Sequence, residues 1–125
     1  MVNKILNTKK APKAVGAYNQ AIIAGDIVYI SGQIGIDPAT GELVSGLEEQ
    51  TRQIMENLKN ILQAQGLDFE NVVKSEIFLN NIDNFSVVDE VYKSFFEDYF
   101  PARQTIGGLN LPKGALVEIS MIATL

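Results

Sequence analysis

The sequence predicts an α+β fold in which two helices pack on one face of a mixed β-sheet. Two amphipathic helical segments, each flanked by short strand-like runs, give the order strands, helix, strand, helix, two strands. The terminal segment KGALVEISMIATL alternates between a wholly apolar face and a mixed one, as a sheet strand covered by helices on one side does. The chain has 125 residues, 46% of them hydrophobic, enough for one core and too few for two. A single domain spanning residues 1–125 is therefore expected.

Each element has its own signal. YNQAIIAGDIVYISGQI reads as two strands around Gly25-Asp26, a Gly-first pair suited to a tight hairpin turn. DPATGE follows as a turn punctuated by Pro38 and Gly41. In SGLEEQTRQIMENLKNILQAQG, residues Leu47, Thr51, Ile54, Leu58, Ile61 and Leu62 recur at helical spacing, with a capping-box signature at Ser45 and Glu48 and a stop at Gly66. NVVKSEIFLNN is a strand. NFSVVDEVYKSFFEDYF repeats the helical period through Val88, Val91, Tyr92, Phe95, Phe96 and Tyr99, and Pro101 ends that helix. Two last strands, about 103–109 and 115–124, flank a loop holding Pro112 and Gly114.

Composition narrows the chemistry. The net charge is -5 and the ten cationic residues are scattered, so there is no basic stripe of the kind that neutralises nucleic-acid phosphates. There is no Cys and no His, which removes disulfides, thiolate nucleophiles and the commonest metal ligand and general base. Asp37 and Glu42 flank a turn without forming a metal site, and no phosphate-binding Gly-rich loop or nucleophile elbow occurs. No metal or cofactor is expected. No run of ~18 apolar residues and no signal-peptide centre is present, so a cytoplasmic protein is expected.

Two charged residues stand out in apolar surroundings. Glu118 interrupts the last strand, where Ala115, Val117, Ile119, Met121 and Ala123 share one face, and Leu116, Glu118, Ser120 and Ile122 share the other. That second face suits a subunit interface with a wet cleft. If the last two strands pair as an antiparallel hairpin, a register with Thr105 opposite Glu118 also sets Arg103 opposite Ser120, on one face, with Gly107 and Gly108 allowing close approach. In that arrangement Arg103 can bind a small carboxylate through two hydrogen bonds, and Glu118 can take a proton from water. The alternative is a structural Arg103–Glu118 ion pair, including one between subunits. Tyr18 offers a ring and a hydroxyl to a pocket wall, or is an ordinary strand-edge Tyr. Ser31 and Gly32 in ISGQIG suggest a bulge or backbone left open to a ligand.

The segments VGAYNQAI, YISGQIGIDPATGELV, VVKSEIFLNNIDNF, VYKSFF, FPARQT and LPKGALVEISMIA together resemble the Rid family of reactive-intermediate imine deaminases, also called YjgF or L-PSP proteins. The resemblance runs nearly end to end. It implies a homotrimer of chorismate-mutase-like subunits with clefts between neighbours. It also implies hydrolysis of 2-imino acids and their enamine tautomers (2-iminobutanoate, 2-iminopropanoate, 2-aminoacrylate) to 2-oxo acids and ammonia, which protects enzymes that such species damage. In that pattern Arg103 clamps the substrate carboxylate, Glu118 positions the attacking water, and Tyr18, Ser31 and Gly32 line the cleft. A protonated imine is already electrophilic, so positioning and charge complementarity suit a chain without His or Cys.

The chain departs from the pattern at Thr105, where many members have Cys, at Asp89, where many have Asn, and at Ala17 and Asn19 beside Tyr18. Thr105 still supplies a hydrogen bond to substrate, whereas a carboxylate at 89 repels an anion if it faces the cleft. Two other readings stand beside the deaminase: a non-catalytic trimer that binds small carboxylates through Arg103, and a ribonuclease or translation inhibitor. The acidic balance argues against the last.

Overall fold

The computed structural model describes residues 3–125. Among these residues eight strands are present: β1 (Lys4–Leu6), β2 (Ala21–Ala24), β3 (Ile27–Gln33), β4 (Ile36–Asp37), β5 (Glu42–Leu43), β6 (Val72–Leu79), β7 (Ala102–Ile106) and β8 (Val117–Thr124). The helices are α1 (Leu47–Gln63) and α2 (Phe85–Lys93). Six strands form one mixed sheet in the order β1-β2-β3-β8-β6-β7, and β4 and β5 make a small separate hairpin.

Both helices cover one face of the sheet. Ile54, Leu58, Ile61 and Leu62 of α1 and Val88 and Tyr92 of α2 join Val28, Ile30, Ile77, Leu79, Val117, Ile119 and Met121 in the core. The apolar face expected of the last strand is the one buried there, and Glu118, Ser120 and Ile122 point the other way. The β2–β3 turn also follows expectation: of Gly25-Asp26 only Gly25 takes a positive φ, +62°, the pattern of a type II′ turn.

Three sequence expectations are corrected. The Ser45/Glu48 capping box does not form, because Gly46 occupies the N-cap with φ 92° and no side chain caps the helix. The start of α1 is tied down instead by Gln50, whose amide donates to the Val44 carbonyl and whose oxygen accepts from Leu116 N–H. The second helix stops at Lys93 rather than running to Pro101. Phe95 and Phe96 there leave the helical path to pack on Phe69, with ring centroids 5.7 and 5.3 Å away, while Tyr99 donates to the Val72 carbonyl at 2.7 Å. Tertiary aromatic contact overrides the helical period. No strand is expected from the sequence at β1, whose three residues at the sheet edge are too few to show a pattern.

The largest correction concerns the last two strands, which do not form a hairpin. β7 pairs in parallel with β6, with Arg103 beside Ser75 and Thr105 beside Ile77. β8 lies on the other side of β6, antiparallel to both β6 and β3. β6, α2 and β7 thus form a βαβ crossover, and residues 107–116 carry the chain across β6.

Among the described residues, no covering layer lies on the face opposite the helices. Across it runs a register-matched row of Ile5, Ile22, Tyr29 and Ile122, with Ile5 and Tyr29 65% and 48% exposed. A second row joins Ile106, Phe78 and Glu118.

Candidate functional site

Glu118 stands at the edge of a cleft of about 730 Å³ lined by Tyr18, Ser31, Gly32, Lys13, Lys113 and neighbouring residues. The volume falls within the range of small-molecule sites. The local backbone explains how the cleft is made. Ile30 pairs with Met121 and Gln33 with Ile119, so Ser31 and Gly32 together oppose Ser120 in a β-bulge, as the Gly in this strand suggested. The missing side chain at 32 makes room for the carboxylate: a Cβ there would lie 2.7 Å from Glu118 Oε2 and 3.0 Å from its Cδ.

Half-burial raises the Glu118 pKa above its ordinary 4.5, and desolvation is the cause, with no neighbouring charge or hydrogen bond drawing it back. A carboxylate in this state is a stronger base than one in water and has free lone pairs to offer a water or ligand. Ser31 spends its hydroxyl proton on the Asn19 carbonyl at 2.6 Å, which fixes the strand beside the cleft. Buried Gln20 binds the 8–12 segment through the Thr8 and Pro12 carbonyls and the Thr8 N–H, holding the chain that brings Lys13 and Val15 to the rim. Tyr18, half exposed, accepts a long hydrogen bond from Val15 N–H at 3.4 Å. Lys113 holds a left-handed backbone at φ 57° on the opposite rim.

Arg103 is elsewhere. Its register with buried Ser75 puts it on the helix-covered side of the sheet, at the outer edge formed by β7, with Thr105 on the same side. Nη1 donates to Asp89 Oδ1 at 2.6 Å, and Cζ lies 5.1 Å from both the Phe85 and the Tyr92 ring centroids. Tyr92 is locked in turn by donating its hydroxyl proton to Ser75 Oγ at 2.8 Å, and burial drives its pKa up. The shared face assigned to Arg103, Thr105 and Glu118 is therefore wrong for a single chain, and so is an Arg103–Glu118 ion pair within it: the guanidinium pairs with Asp89.

Tyr18, Ser31, Gly32 and Glu118 come together; Arg103 pairs with Asp89 across the sheet, and Thr105 shares that side of β7. Sequence reasoning missed Lys13 and Lys113 in the first cluster and the aromatic clamp in the second. The clamp had a readable signal: Phe85, Asp89 and Tyr92 fall at i, i+4 and i+7 on one face of α2. Among the described residues no group of His, Cys, Asp and Glu is arranged to hold a metal ion, and no helix is long and apolar enough to cross a membrane.

A mixed sheet with two helices on one face and a bulged, carboxylate-bearing cleft on the other defines an α+β domain with a candidate small-molecule site. The chain belongs to the L-PSP, or Rid, family: the family model described as Endoribonuclease L-PSP matches residues 8–125. It is 48% identical over 98% of its length, and 90% of the relative's, to the Bos taurus 2-iminobutanoate/2-iminopropanoate deaminase. The structure of the Yersinia pestis Rid-family protein YyfA aligns with a TM-score of 0.97 at 45% identity, covering 99% of this chain and all (100%) of the other. E. coli TdcF with bound serine aligns with a TM-score of 0.93 at 37% identity, covering 98% of each chain.

Proposed function

We propose that this protein hydrolyses 2-imino acids, such as 2-iminobutanoate and 2-iminopropanoate, to 2-oxo acids and ammonia, in clefts that two copies of the chain complete within a homotrimer. The observation that carries the reading is the bare, half-buried Glu118 carboxylate seated over Gly32 in a cleft with Tyr18 and Ser31. The similarity to a named imine deaminase over nearly the whole chain supports the substrate class.

Glu118 takes a proton from a water as its oxygen adds to the iminium carbon, giving a tetrahedral carbinolamine. The same carboxylic acid then returns the proton to nitrogen. Glu118 next takes the hydroxyl proton as the carbonyl forms and the C–N bond breaks, and passes it to the departing ammonia, so that the 2-oxo acid and ammonium are released. The raised Glu118 pKa suits a group that must both accept and donate. The reaction needs no covalent enzyme intermediate, so Thr105 serves by hydrogen bonding alone.

The substrate carboxylate requires an anion anchor. Arg103 has the right chemistry but lies across the sheet from its own Glu118, so the anchor reaches the cleft from a neighbouring copy. The uncovered apolar rows Ile5–Ile22–Tyr29–Ile122 and Ile106–Phe78 supply a face for that contact. Rapid clearance of the imine removes an electrophile before it meets other proteins.

The test is release of ammonia and 2-oxo acid from freshly generated 2-iminobutanoate, with semicarbazide competing for the imine, by the parent and its Arg103→Ala and Glu118→Gln variants. Acceleration lost in both variants is expected. No acceleration by the folded parent sinks the deaminase reading and leaves carboxylate binding without turnover.

A further inference from the structure

The Arg103 guanidinium is partly neutralised before any ligand arrives. Asp89 Oδ1 holds Nη1 at 2.6 Å, and the Phe85 and Tyr92 rings sit 5.1 Å from Cζ. These contacts fix the side chain while leaving further N–H donors without a partner among the described residues. A carboxylate that uses those donors shares one guanidinium with Asp89, whose own charge is then no farther away than the width of that group. Both side chains of the pair are only partly exposed, 26% and 34%, so water screens the repulsion incompletely.

We propose that Asp89 makes the Arg103 site select for zwitterions over simple anions, and so favours the iminium acid over the 2-oxo acid product. The inference rests on the reading of Arg103 as the carboxylate anchor. A protonated 2-imino acid carries a cationic nitrogen one carbon from its carboxylate and has no net charge, so Asp89 repels one end and attracts the other. Hydrolysis replaces that cation with a neutral carbonyl. The product is a net anion, and only the repulsion remains. Asp89 thereby weakens the hold on the product at the moment it forms, a specificity achieved by an unfavourable contact with the unwanted species.

Two stable probes separate charge from shape: 2-oxobutanoate, an anion, and 2-aminobutanoate, a zwitterion with the same carboxylate and carbon chain. Dissociation constants are measured by calorimetry for the parent, Asp89→Asn and Arg103→Ala. Asn keeps the length of the side chain and an oxygen to accept from Nη1, and thermal unfolding confirms that the variant folds. Asp89→Asn is expected to tighten 2-oxobutanoate binding by about tenfold while changing 2-aminobutanoate binding by less than about twofold. A change of equal size for both probes, or none for either, overturns the proposal. Undiminished binding of both probes to Arg103→Ala removes the anchor and the proposal with it. None of these outcomes requires turnover, so absence of imine hydrolysis counts against the proposed reaction alone.

Discussion

Glu118 lies directly over Gly32, close enough that a Cβ at position 32 would stand 2.7 Å from Oε2. The bulge in β3 and the carboxylate of β8 are thus one device: the strand irregularity supplies the space and the burial that the carboxylate uses.

Gly32→Ala tests that device. Gly32 does not take a positive φ and the obstructing atoms belong to a flexible side chain, so the backbone tolerates Ala and the carboxylate moves instead. The expected result is a loss of about 10- to 100-fold in kcat, since displacing a catalytic group by roughly an ångström has that scale of effect. Thermal unfolding should shift by only a few degrees or less. Equal loss of activity and stability contradicts the account.

Glu118→Gln separates stability from chemistry. The folded-state pKa of Glu118 is raised by desolvation, so its favourable contribution to folding is present at low pH and is lost as pH rises through that pKa. At pH 7 the ionised group is a burden, and Gln relieves it. The variant should melt slightly above the parent at pH 7, with the advantage gone below about pH 4. The parent's kcat/KM should fall on the acid side with an inflection above 4.5.

Tyr92→Phe removes the hydroxyl that donates to Ser75 Oγ while leaving a ring of the same shape. Ser75 is fully buried, so its oxygen loses a partner that water cannot replace. Denaturant unfolding should show a loss of about 1–3 kcal/mol.

Gly107→Ala should be worse tolerated than Gly32→Ala. A Cβ at 107 would lie 2.6 Å from Ile82 Cβ and 2.8 Å from Ile82 Cα and N, and backbone atoms cannot step aside as a carboxylate can. The expected cost is about 1–3 kcal/mol, read as a lower denaturation midpoint with an unchanged slope.

Elements set by local pattern were legible in the sequence. The helical spacing from Leu47 to Leu62 gave α1, and strict alternation from Ala115 to Ala123 gave both the buried face of β8 and the placement of Glu118 on the opposite face. Gly32 announced its bulge because a Gly inside an otherwise regular strand needs a reason. Pairing between strands was not legible in the same way, since adjacency in sequence does not fix adjacency in a sheet. Strands read at about 103–109 and 115–124 left a loop short enough for a hairpin, whereas β7 ends at Ile106 and residues 107–116 make a connection too long for one. The misplaced hairpin carried Arg103 to the wrong face, and with it the pocket that joined Arg103, Thr105 and Glu118 on one pair of strands.

The central claim is that Arg103 of one copy serves Glu118 of another. The most direct measurement mixes the Arg103→Ala and Glu118→Gln variants, each inactive alone, by unfolding and refolding them together and assaying imine hydrolysis. If the site is shared, random assembly creates clefts with both native residues, and activity returns to roughly a quarter of the parent value per cleft. If both residues act within one chain, every cleft lacks one of them and the mixture stays as inactive as its components, which would contradict the shared site.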